Sequence, residues 1–267
     1  MHKIKRNMYI IPIIIASCYL FILFGFYLFQ NKFIFFPQKL SNGADQILKN
    51  KSNEITINID SVTIHGWLIN KGKKNLIIYY GGNAEEVSYN IDDFKRLYNY
   101  STLLLNYRGY GKSDGRPSQE HLFNDALKIF DYITHELSIS VDNVVLFGRS
   151  IGSGIAIYVA SKRKVKHLIL VTPFDSIRNI VKDKLLIFPV DLILKHPFNS
   201  LSYAEIIMCS SLILIAEYDE IIKYKYSINL VNNWRGDCKH CIIKNAGHNN
   251  IHTYTEYWDL ITNYLNH

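Results

Sequence analysis

Residues 141–160 read VDNVVLFGRSIGSGIAIYVA. Val144 to Phe147 form an unbroken apolar run, which is typical of a strand that is buried on both faces of a sheet. Small residues then alternate with aliphatic ones as far as Ala160, and this pattern favours a helix. A buried strand that turns directly into a helix is the repeating unit of an α/β protein. The stretch therefore predicts an α/β fold, with Ser150 at the turn.

The same alternation of strand and helix extends over the chain from residue 54 to the end. Predicted strands lie at 54–60, 62–70, 75–80, 101–109, 141–148, 167–173, 211–216 and 240–246, and predicted helices lie at 84–99, 118–138, 150–161 and 249–266. The first two strands are expected to form a hairpin that turns at residues 60–61. Strands separated by helices form a mostly parallel sheet that is covered on both faces. The sequence thus predicts about eight strands, with an antiparallel pair at the start.

The composition excludes several other classes of protein. Of the 267 residues, 48% are hydrophobic and 20% are charged, which excludes a disordered chain. Four scattered cysteines are too few for a disulfide scaffold of this length. The mean hydropathy is zero, a high value for a soluble enzyme, and it suggests one strongly apolar segment.

Residues 8–29 are that segment, because MYIIPIIIASCYLFILFGFYLF contains no charged residue. A helix of this length extends about 33 Å, enough to cross a hydrocarbon core of about 30 Å. A cleaved signal peptide is the main alternative, but the apolar run is long and no small-residue cleavage site closes it. A lipoprotein signal at Cys18 is a second alternative, although the chain stays apolar after that residue. We therefore predict an uncleaved transmembrane anchor.

The charges around this segment set the expected topology and partners. Lys3, Lys5 and Arg6 precede it, and without them the net charge falls from +7 to +4. We predict no nucleic-acid partner, since the densest remaining basic cluster, at 162–166, falls where a helix is expected to end. Two lysines follow the segment, so only a small excess of basic residues favours a large domain on the non-cytoplasmic side.

These features predict a layout of an N-terminal tail at 1–7, a transmembrane helix at 8–29, a linker at 30–53 and an α/β domain at 54–267. Residues 174–207 interrupt the alternation of strands and helices with a compact apolar stretch that Pro189 and Pro197 break. This insertion is either an irregular helix packed on the edge of the sheet or a small cap over a site at the carboxyl ends of the strands.

Two stretches match the pattern Gly-x-Ser-x-Gly, at 148–152 and at 111–115. A nucleophilic serine of this type needs a buried strand before it, an abrupt turn, and a helix that begins at the serine. Ser150 meets these requirements, whereas Ser113 is followed by Asp-Gly-Arg-Pro, which is typical of a loop. Ser150 is therefore the predicted nucleophile.

The other motifs do not point to a cofactor. A phosphate-binding loop that ends in Gly111-Lys112-Ser113 would need a glycine where the chain has Asn106. A dinucleotide fingerprint that starts at Gly109 would need a glycine where Asp114 stands. The pair Cys238 and Cys241 lacks the second pair of ligands of a zinc site, so it predicts free thiols or a local disulfide. We predict no cofactor and no metal.

A serine hydroxyl needs a base that accepts its proton and an acid that orients this base. His248 lies between the last strand and the final helix, where a loop histidine can extend over the edge of the sheet. Asp219 and Asp175 each follow a predicted strand, so either is a candidate for the acid. We favour Asp219, because one strand between the acid and the histidine is the usual arrangement. Glu217 and Glu220 beside it are expected to be solvated.

Acyl transfer also needs two N–H donors for the oxyanion that forms in the transition state. The N–H of Ile151 is one candidate, because this residue follows the serine at the start of a helix. The loop at 81–84, Gly-Gly-Asn-Ala, is expected to supply the other, since glycines let the backbone approach a ligand closely.

Several stretches together carry a resemblance to a known family: Phe36-Pro37, Gly82-Asn83-Ala84, NYRGYGKS at 106–113, Gly148-Arg149-Ser150-Ile151-Gly152, Thr172-Pro173-Phe174 and Gly247-His248-Asn249. Over residues 38–267 the chain resembles the α/β-hydrolase superfamily, and within it the single-pass, membrane-anchored abhydrolase-domain serine hydrolases. The resemblance implies an α/β-hydrolase fold and hydrolysis by a triad of Ser150, Asp219 and His248, with Asn83 and Ile151 as the oxyanion donors.

The chain departs from that group at two points. It has Gly81-Gly82 where the group usually has His-Gly, and Ala216 where a glycine usually ends the strand before the acid. The first departure leaves the support of the loop at 81–84 to be explained by other residues.

We expect from these observations a membrane-anchored serine hydrolase that cleaves carboxylic esters or thioesters through an acyl-enzyme intermediate. The apolar insertion and the anchor favour a lipid-like acyl substrate. A serine peptidase of the same fold and a non-catalytic, hydrolase-like binding protein are the alternatives. Nothing in the sequence predicts an oligomeric state.

Overall fold

A computed structural model describes residues 2–40 and 53–266. The strands are β1 (Glu54–Ile59), β2 (Val62–Ile69), β3 (Asn75–Tyr80), β4 (Tyr100–Leu105), β5 (Val144–Arg149), β6 (His167–Val171), β7 (Ser210–Ala216) and β8 (Cys238–Ile243). The helices are α1 (His2–Ile34), α2 (Ile91–Lys95), α3 (Gln119–Glu136), α4 (Ile151–Ala160), α5 (Ile177–Lys184), α6 (Val190–Ile193), α7 (Ser200–Ala204), α8 (Tyr224–Asn232) and α9 (Thr255–Leu265). Short 3-10 turns at Val87–Asn90, Val141–Asn143 and Ile251–Thr253 precede α2, β5 and α9.

Within the described residues, the strands form an eight-stranded sheet in the order β1-β2-β4-β3-β5-β6-β7-β8. β1 and β2 form an antiparallel hairpin that turns at Asp60, which has a positive φ of 55°. β2 is also antiparallel to β4, and the neighbouring strands from β4 to β8 are parallel. The predicted mostly parallel sheet with an antiparallel start is confirmed.

Strand β5 shows why this sheet is covered on both faces. Val144 and Leu146 pack in the core that lies under α3 and α4. Val145 and Phe147 pack in a second core with aromatic and aliphatic residues of α2 and α9. Successive side chains of a strand point to opposite faces, so each face of β5 requires its own layer of helices. An unbroken apolar run is the consequence in the sequence.

The N-terminal helix is longer than predicted. α1 covers His2–Ile34 rather than 8–29, and its part from Ile10 to Ile34 is long and apolar enough to cross a membrane. Gln30 and Phe35 are buried against the α/β domain, so the start of the predicted linker at 30–53 packs on that domain. Residues 41–52 of the predicted linker lie outside the described residues.

The predicted helix at 84–99 is wrong in its extent. The chain forms the turn at Val87–Asn90 and then only the short helix α2. Ala84 has a positive φ of 55°, which a helix does not allow. The carboxylate of Glu86 accepts a hydrogen bond from a backbone N–H of the turn and caps it. The apolar spacing indicated the buried face correctly, but not these local bonds.

Three predicted strands end earlier than expected. β4 ends at Leu105, β6 at Val171 and β8 at Ile243. Thr172 and Asn245 have positive φ values of 46° and 59°, so the chain turns away from the sheet there. The carboxyl ends of the parallel strands lie along one edge of the sheet, and the loops that start there carry the candidate site.

The insertion at 174–207 contains three short helices, α5, α6 and α7. Phe174 and Phe198, near its two ends, lie close to Gly154 of α4, where a Cβ would meet their rings at 3.2 and 3.3 Å. Between these two residues, the stretch LLIFPVDLIL at 185–194 extends to α1. The insertion therefore rests on the helix that follows Ser150 and also contacts the N-terminal helix.

Candidate active site

Ser150 lies at a strained turn between β5 and α4. Its backbone has a φ of 51° and a ψ of −120°, a conformation that costs a residue with a side chain about 1–3 kcal/mol. Its N–H donates to the carbonyl of Val171 on the next strand, at 2.9 Å. A Cβ on Gly148 would lie 2.5 Å from the carbonyl of Gly152, and one on Gly152 would lie 2.0 Å from the carbonyl of Tyr80. Only glycine fits on either side of this serine.

The three residues predicted as a triad come together in the structure. Ser150 Oγ lies 3.0 Å from His248 Nε2, and His248 Nδ1 lies 2.8 Å from Asp219 Oδ2. All three residues are buried. A carboxylate only accepts hydrogen bonds, so Nδ1 carries the proton and Nε2 accepts the hydrogen bond of the serine hydroxyl. This arrangement can remove a proton from Ser150.

Two backbone groups fix the acid. The N–H groups of Ile221 and Ile222 donate to Asp219 Oδ1 at 3.0 and 2.6 Å. Oδ2 is thereby left for His248. The turn after β7 thus orients the carboxylate before any substrate is bound.

Asp175, the second candidate for the acid, has different partners. Its carboxylate accepts hydrogen bonds from the side-chain amides of Asn179 and Asn229, at 2.8 and 2.6 Å. Asp175 therefore holds α5 against α8. The structure brings Asp219, and not Asp175, to the histidine.

The glutamates on either side of Asp219 are solvated, as expected, since Glu220 is exposed and Glu217 is half-buried, but both also hold the histidine loop. Glu220 accepts a hydrogen bond from the N–H of His248 at 3.2 Å, and Glu217 accepts one from the N–H of Asn245 at 2.8 Å. Hydrogen bonds from its own N–H and from that of His248 lower the pKa of Glu220. The sequence signal was the spacing of two acids around the predicted one.

Both predicted oxyanion donors lie close to Ser150. The N–H of Ile151 opens α4 and donates no hydrogen bond to any of the described residues. The loop at 81–84 lies close to the serine, because a Cβ on Gly82 would lie 3.9 Å from the Cβ of Ser150. The N–H of Asn83 is likewise unbonded within the described part of the chain.

The side chain of Asn83 connects this loop to the end of α1. Its Oδ1 accepts hydrogen bonds from the N–H of Phe36 at 3.0 Å and from the hydroxyl of Tyr110 at 2.8 Å. Its Nδ2 donates to the carbonyl of Ile34. Hydrogen bonds on both sides of the amide fix the orientation of Asn83. The residues that follow the N-terminal helix are thus in direct contact with the candidate oxyanion loop.

Glu85 supports the loop at 81–84. Its carboxylate accepts hydrogen bonds from the N–H of Gly82 at 3.0 Å and from the hydroxyl of Tyr79 at 2.7 Å. It also forms a partly buried ion pair with Arg149, at 2.9 Å. The guanidinium of Arg149 in turn donates to the carbonyl of His248 at 3.4 Å. Through this carboxylate, the candidate oxyanion loop, the residue before Ser150 and the loop that carries His248 are linked.

This network also shifts the proton affinities of its members. Burial, and then the charge of Glu85, raise the pKa of Tyr79 well above its ordinary value. Burial opposes the charge of Arg149, but the neighbouring Tyr79 and Glu85 raise its pKa above the ordinary value. The guanidinium therefore stays charged next to the carboxylate. Sequence reasoning missed Glu85 and Arg149, although both lie within the quoted motifs or directly after them.

The two cysteines of the Cys-x-x-Cys pair are free thiols on β8. Two residues three positions apart on a strand point to opposite faces and lie about 10 Å apart, which is too far for a disulfide. Burial raises the pKa of Cys238 to about 11, so this thiol is unreactive at neutral pH. Of the two predicted alternatives, the structure has free thiols.

Comparisons with known proteins agree with this fold. The family model of the alpha/beta hydrolase fold matches residues 65–189. An uncharacterized membrane protein of Saccharomyces cerevisiae is 30% identical over 223 residues, which cover 77% of this chain and 76% of the yeast protein. Alpha/beta hydrolase domain-containing protein 17C of Xenopus tropicalis is 24% identical over 201 residues, which cover 73% of this chain and 63% of that protein. The chain belongs to the α/β-hydrolase family.

Solved structures show the same architecture. An esterase from Pyrococcus furiosus superposes with a TM-score of 0.68 at 17% identity and covers 87% of this chain and 96% of its own. An α/β hydrolase from Vibrio vulnificus superposes with a TM-score of 0.67 at 19% identity and covers 85% of this chain and 87% of its own. The predicted α/β-hydrolase fold is confirmed.

Proposed function

We propose that this protein is a membrane-anchored serine hydrolase that cleaves carboxylic esters or thioesters through an acyl-enzyme intermediate. The observation that carries the proposal is the strained turn at Ser150, whose hydroxyl lies 3.0 Å from a histidine that an aspartate orients. A strained, buried serine beside an oriented base is a costly arrangement, and nucleophilic catalysis is what it serves.

In the first half of the reaction, Ser150 Oγ attacks the carbonyl carbon while Nε2 of His248 accepts the hydroxyl proton. The carbonyl oxygen becomes an oxyanion, which accepts hydrogen bonds from the N–H groups of Asn83 and Ile151. His248 then donates the proton to the leaving oxygen or sulfur. The acyl group remains as an ester on Ser150, and the alcohol or thiol departs.

In the second half, water replaces the leaving group. His248 accepts a proton from the water molecule, whose oxygen attacks the acyl carbon of the ester on Ser150. The same two N–H groups bind the second oxyanion, and the proton on His248 returns to Ser150 Oγ as the carboxylic acid leaves. Asp219 stays ionised throughout and stabilises the imidazolium.

The proposed substrate class is a lipid-like acyl compound. Two features support this choice: the apolar helix α1, which is long enough to span a bilayer, and the apolar insertion that extends to it. The related yeast protein is described as a membrane protein, in keeping with an anchor in this group. A series of esters with acyl chains of increasing length tests the class. A rate that does not increase with chain length contradicts the lipid-like substrate.

A fluorophosphonate probe tests the chemistry itself. We expect wild-type protein to be labelled, the adduct to be found on Ser150 by mass spectrometry, and Ser150→Ala to remain unlabelled. A folded wild-type sample that is not labelled contradicts the catalytic proposal and favours a non-catalytic binding protein. Preferential cleavage of aminoacyl substrates over acyl esters favours the peptidase instead.

We also propose that the catalytic domain lies on the non-cytoplasmic side, with the N-terminal tail inside. Lys3, Lys5 and Arg6 precede the apolar part of α1 and support this orientation, since basic residues concentrate on the cytoplasmic side. Protease digestion of sealed, right-side-out membrane vesicles is expected to remove the α/β domain. Protection of the domain in vesicles that are shown to be intact contradicts the orientation.

A further inference from the structure

The insertion exposes an unusual amount of apolar surface. Within the stretch at 185–194, the side chains of Leu186, Ile187 and Leu192 are 85%, 75% and 84% exposed. Adjacent large aliphatic side chains that are left open to water mark an interaction surface on a soluble domain. We call Leu186, Ile187 and Leu192 the apolar tip.

The tip lies directly against the N-terminal helix. The hydroxyl of Tyr19 donates to the carbonyl of Ile187 at 2.8 Å, and the Tyr19 ring stacks on Phe188 with centroids 5.6 Å apart. Near the other end of the contact, the side chain of Gln30 donates to the carbonyl of Ile193 at 3.0 Å and accepts from the N–H of Lys195 at 2.7 Å. The insertion therefore runs beside α1 from Gln30 to Tyr19.

That contact reaches deep into the apolar part of α1. Tyr19 and Gln30 are eleven positions apart, which is about 16 Å along a helix. Both residues lie inside the part of α1 that is long and apolar enough to cross a membrane. If α1 spans the bilayer, the tip beside Tyr19 lies at the depth of the acyl chains, because it is hydrogen-bonded to the helix there.

The charges near the tip suit the surface of a bilayer. Asp191, the only acid between residues 185 and 194, is paired with Lys182 at 2.6 Å and with Arg178 at 3.5 Å. The ammonium of Lys195 lies 3.8 Å from the centre of the Tyr27 ring. An excess of basic over acidic groups next to an apolar tip is typical of segments that bind anionic lipid headgroups.

We propose that residues 185–194 form a second membrane contact, in which the tip of Leu186, Ile187 and Leu192 inserts into one leaflet beside α1. The tip binds the lipid bilayer, because it lies beside a helix of membrane-spanning length. The inference rests on the proposed anchoring by α1, but it is independent of the proposed chemistry. Taken together with the proposed hydrolysis, this membrane contact implies that the acyl substrate enters the site from the bilayer.

The route to the site follows from the neighbours of the insertion. His196, just after the tip segment, packs edge-on against the ring of Phe35, with centroids 5.2 Å apart. Phe36, which follows Phe35 in the chain, donates its N–H to the side chain of Asn83 in the candidate oxyanion loop. The embedded segment and the loop are thus two contacts apart. On the proposed membrane contact, we expect an acyl chain that leaves the leaflet beside the tip to approach Ser150 from the side of this loop.

Depth-dependent fluorescence quenching tests the contact. The full chain, with its native cysteines replaced by serine, carries an environment-sensitive dye on Ile187→Cys or, as the matched control, on Met208→Cys. Met208 is 76% exposed and lies before β7, at the opposite end of the strand from Asp219. The protein is reconstituted in vesicles of phosphatidylcholine and phosphatidylglycerol, with or without bromine on the acyl chains.

We expect brominated lipids to quench the dye at position 187 about tenfold more strongly than the dye at 208, and aqueous iodide to show the reverse preference. Equal access of iodide to both positions overturns the proposal. Protection of position 187 from both quenchers also overturns it, because the tip is then covered by protein, such as a second copy of the chain.

A triple variant tests the substrate route. Leu186→Ser, Ile187→Ser and Leu192→Ser together change only exposed side chains, so folding is expected to persist. Hydrolysis of a long-chain ester in vesicles is expected to fall about tenfold, while hydrolysis of a short soluble ester stays unchanged. Unchanged hydrolysis of the long-chain ester overturns the route. If the wild type hydrolyses no ester, the proposed function fails, and the quenching experiment still decides the membrane contact.

Discussion

Residues 148–152 and 111–115 share the pattern Gly-x-Ser-x-Gly, and the fold uses them in opposite ways. At 148–152 the positive φ falls on Ser150, and the glycines are needed because a Cβ on either would overlap backbone atoms. At 111–115 the positive φ values, 52° and 79°, fall on the glycines. The glycines at 111–115 therefore relieve strain in a loop, whereas those at 148–152 allow the strain to be placed on the serine.

The hydroxyl groups differ in the same way. Ser113 Oγ donates to the carbonyl of Asn106 at 3.2 Å and accepts from the N–H of His65 at 2.9 Å. It thereby ties its loop to β2, and backbone groups use both of its hydrogen-bonding functions. Ser150 Oγ instead faces a base. The serine of this five-residue pattern is a candidate nucleophile only when the strand before it and the helix after it hold it in a strained turn.

Removing each hydroxyl is expected to produce the largest contrast. Ser150→Ala is expected to lower kcat for ester hydrolysis by about 10⁴-fold or more, because the nucleophile is lost. Ser113→Ala is expected to retain kcat within about threefold and to lower the free energy of unfolding by about 2 kcal/mol, for two lost hydrogen bonds. Steady-state kinetics with a chromogenic ester and thermal unfolding measure the two effects. Comparable losses of kcat in the two variants would contradict the distinction.

Adding a Cβ tests the two roles of glycine. Gly152→Ala is expected to lower the free energy of unfolding by about 3 kcal/mol or more, because the new Cβ would lie 2.0 Å from the carbonyl of Tyr80. Gly115→Ala has room, with its nearest contact at 3.4 Å, and is expected to cost only about 1 kcal/mol for its positive φ. Thermal unfolding in detergent micelles should show Tm lower by about 10 °C and 3 °C, respectively. A smaller loss for Gly152→Ala than for Gly115→Ala would refute the steric argument.

The adjacent acids Glu85 and Glu86 form a matched pair for mutation. Glu85 contacts Arg149 beside Ser150, whereas Glu86 contacts Asn106, which binds Ser113. Glu85→Gln is expected to lower kcat about 100-fold, because the oxyanion loop and Arg149 lose their shared carboxylate. Glu86 is also buried, but its carboxylate accepts from Asn106, the residue that also binds Ser113. Glu86→Gln is therefore expected to keep kcat within about threefold.

The pH profile of kcat and the yield of fluorophosphonate adduct, measured on folded samples of both variants, separate positioning from stability. Equal kcat values for Glu85→Gln and Glu86→Gln would show that Glu85 does not position the site.

Lowering the pH is expected to destabilise the region next to the Ser113 loop, because His196 becomes protonated. Burial, and then the charge of Lys195, lower the pKa of His196 to about 4. Its Nδ1 accepts from the N–H of Gln119, just after that loop, and its Nε2 donates to Asn31 of α1. An unfolded histidine has a pKa of about 6.5. Below pH 7 the unfolded chain therefore binds more protons than the folded chain, and the free energy of unfolding decreases as the pH is lowered.

When the pH is lowered from 7 to 5, this histidine alone is expected to decrease the free energy of unfolding by about 2 kcal/mol. Replacement by glutamine, which retains one donor and one acceptor, serves as the control. The Tm of the wild type is expected to fall by about 5 °C more than that of His196→Gln over this range. Parallel pH profiles of the two proteins would rule out the coupling.

The sequence was sufficient to predict the sheet and the three side chains that the structure brings into hydrogen-bond contact. Ser150, Asp219 and His248 each follow a predicted strand, and the carboxyl ends of parallel strands meet at one edge. The support of the site was not predictable in this way. Glu85 and Arg149 follow different strands, and nothing in their local patterns announces an ion pair. The error at 84–99 has a related cause, because apolar spacing does not reveal a positive φ at Ala84.

The hydrogen bonds of Asn83 to Ile34 and Phe36 bear on how the protein can be produced in soluble form. A shortened chain that starts at residue 54 keeps the sheet and the residues around Ser150, but it loses two partners of the oxyanion loop. A chain that starts near residue 30 keeps them and omits most of the apolar helix. We therefore expect the smallest unit that keeps these contacts to begin inside the last turns of α1, before the first strand.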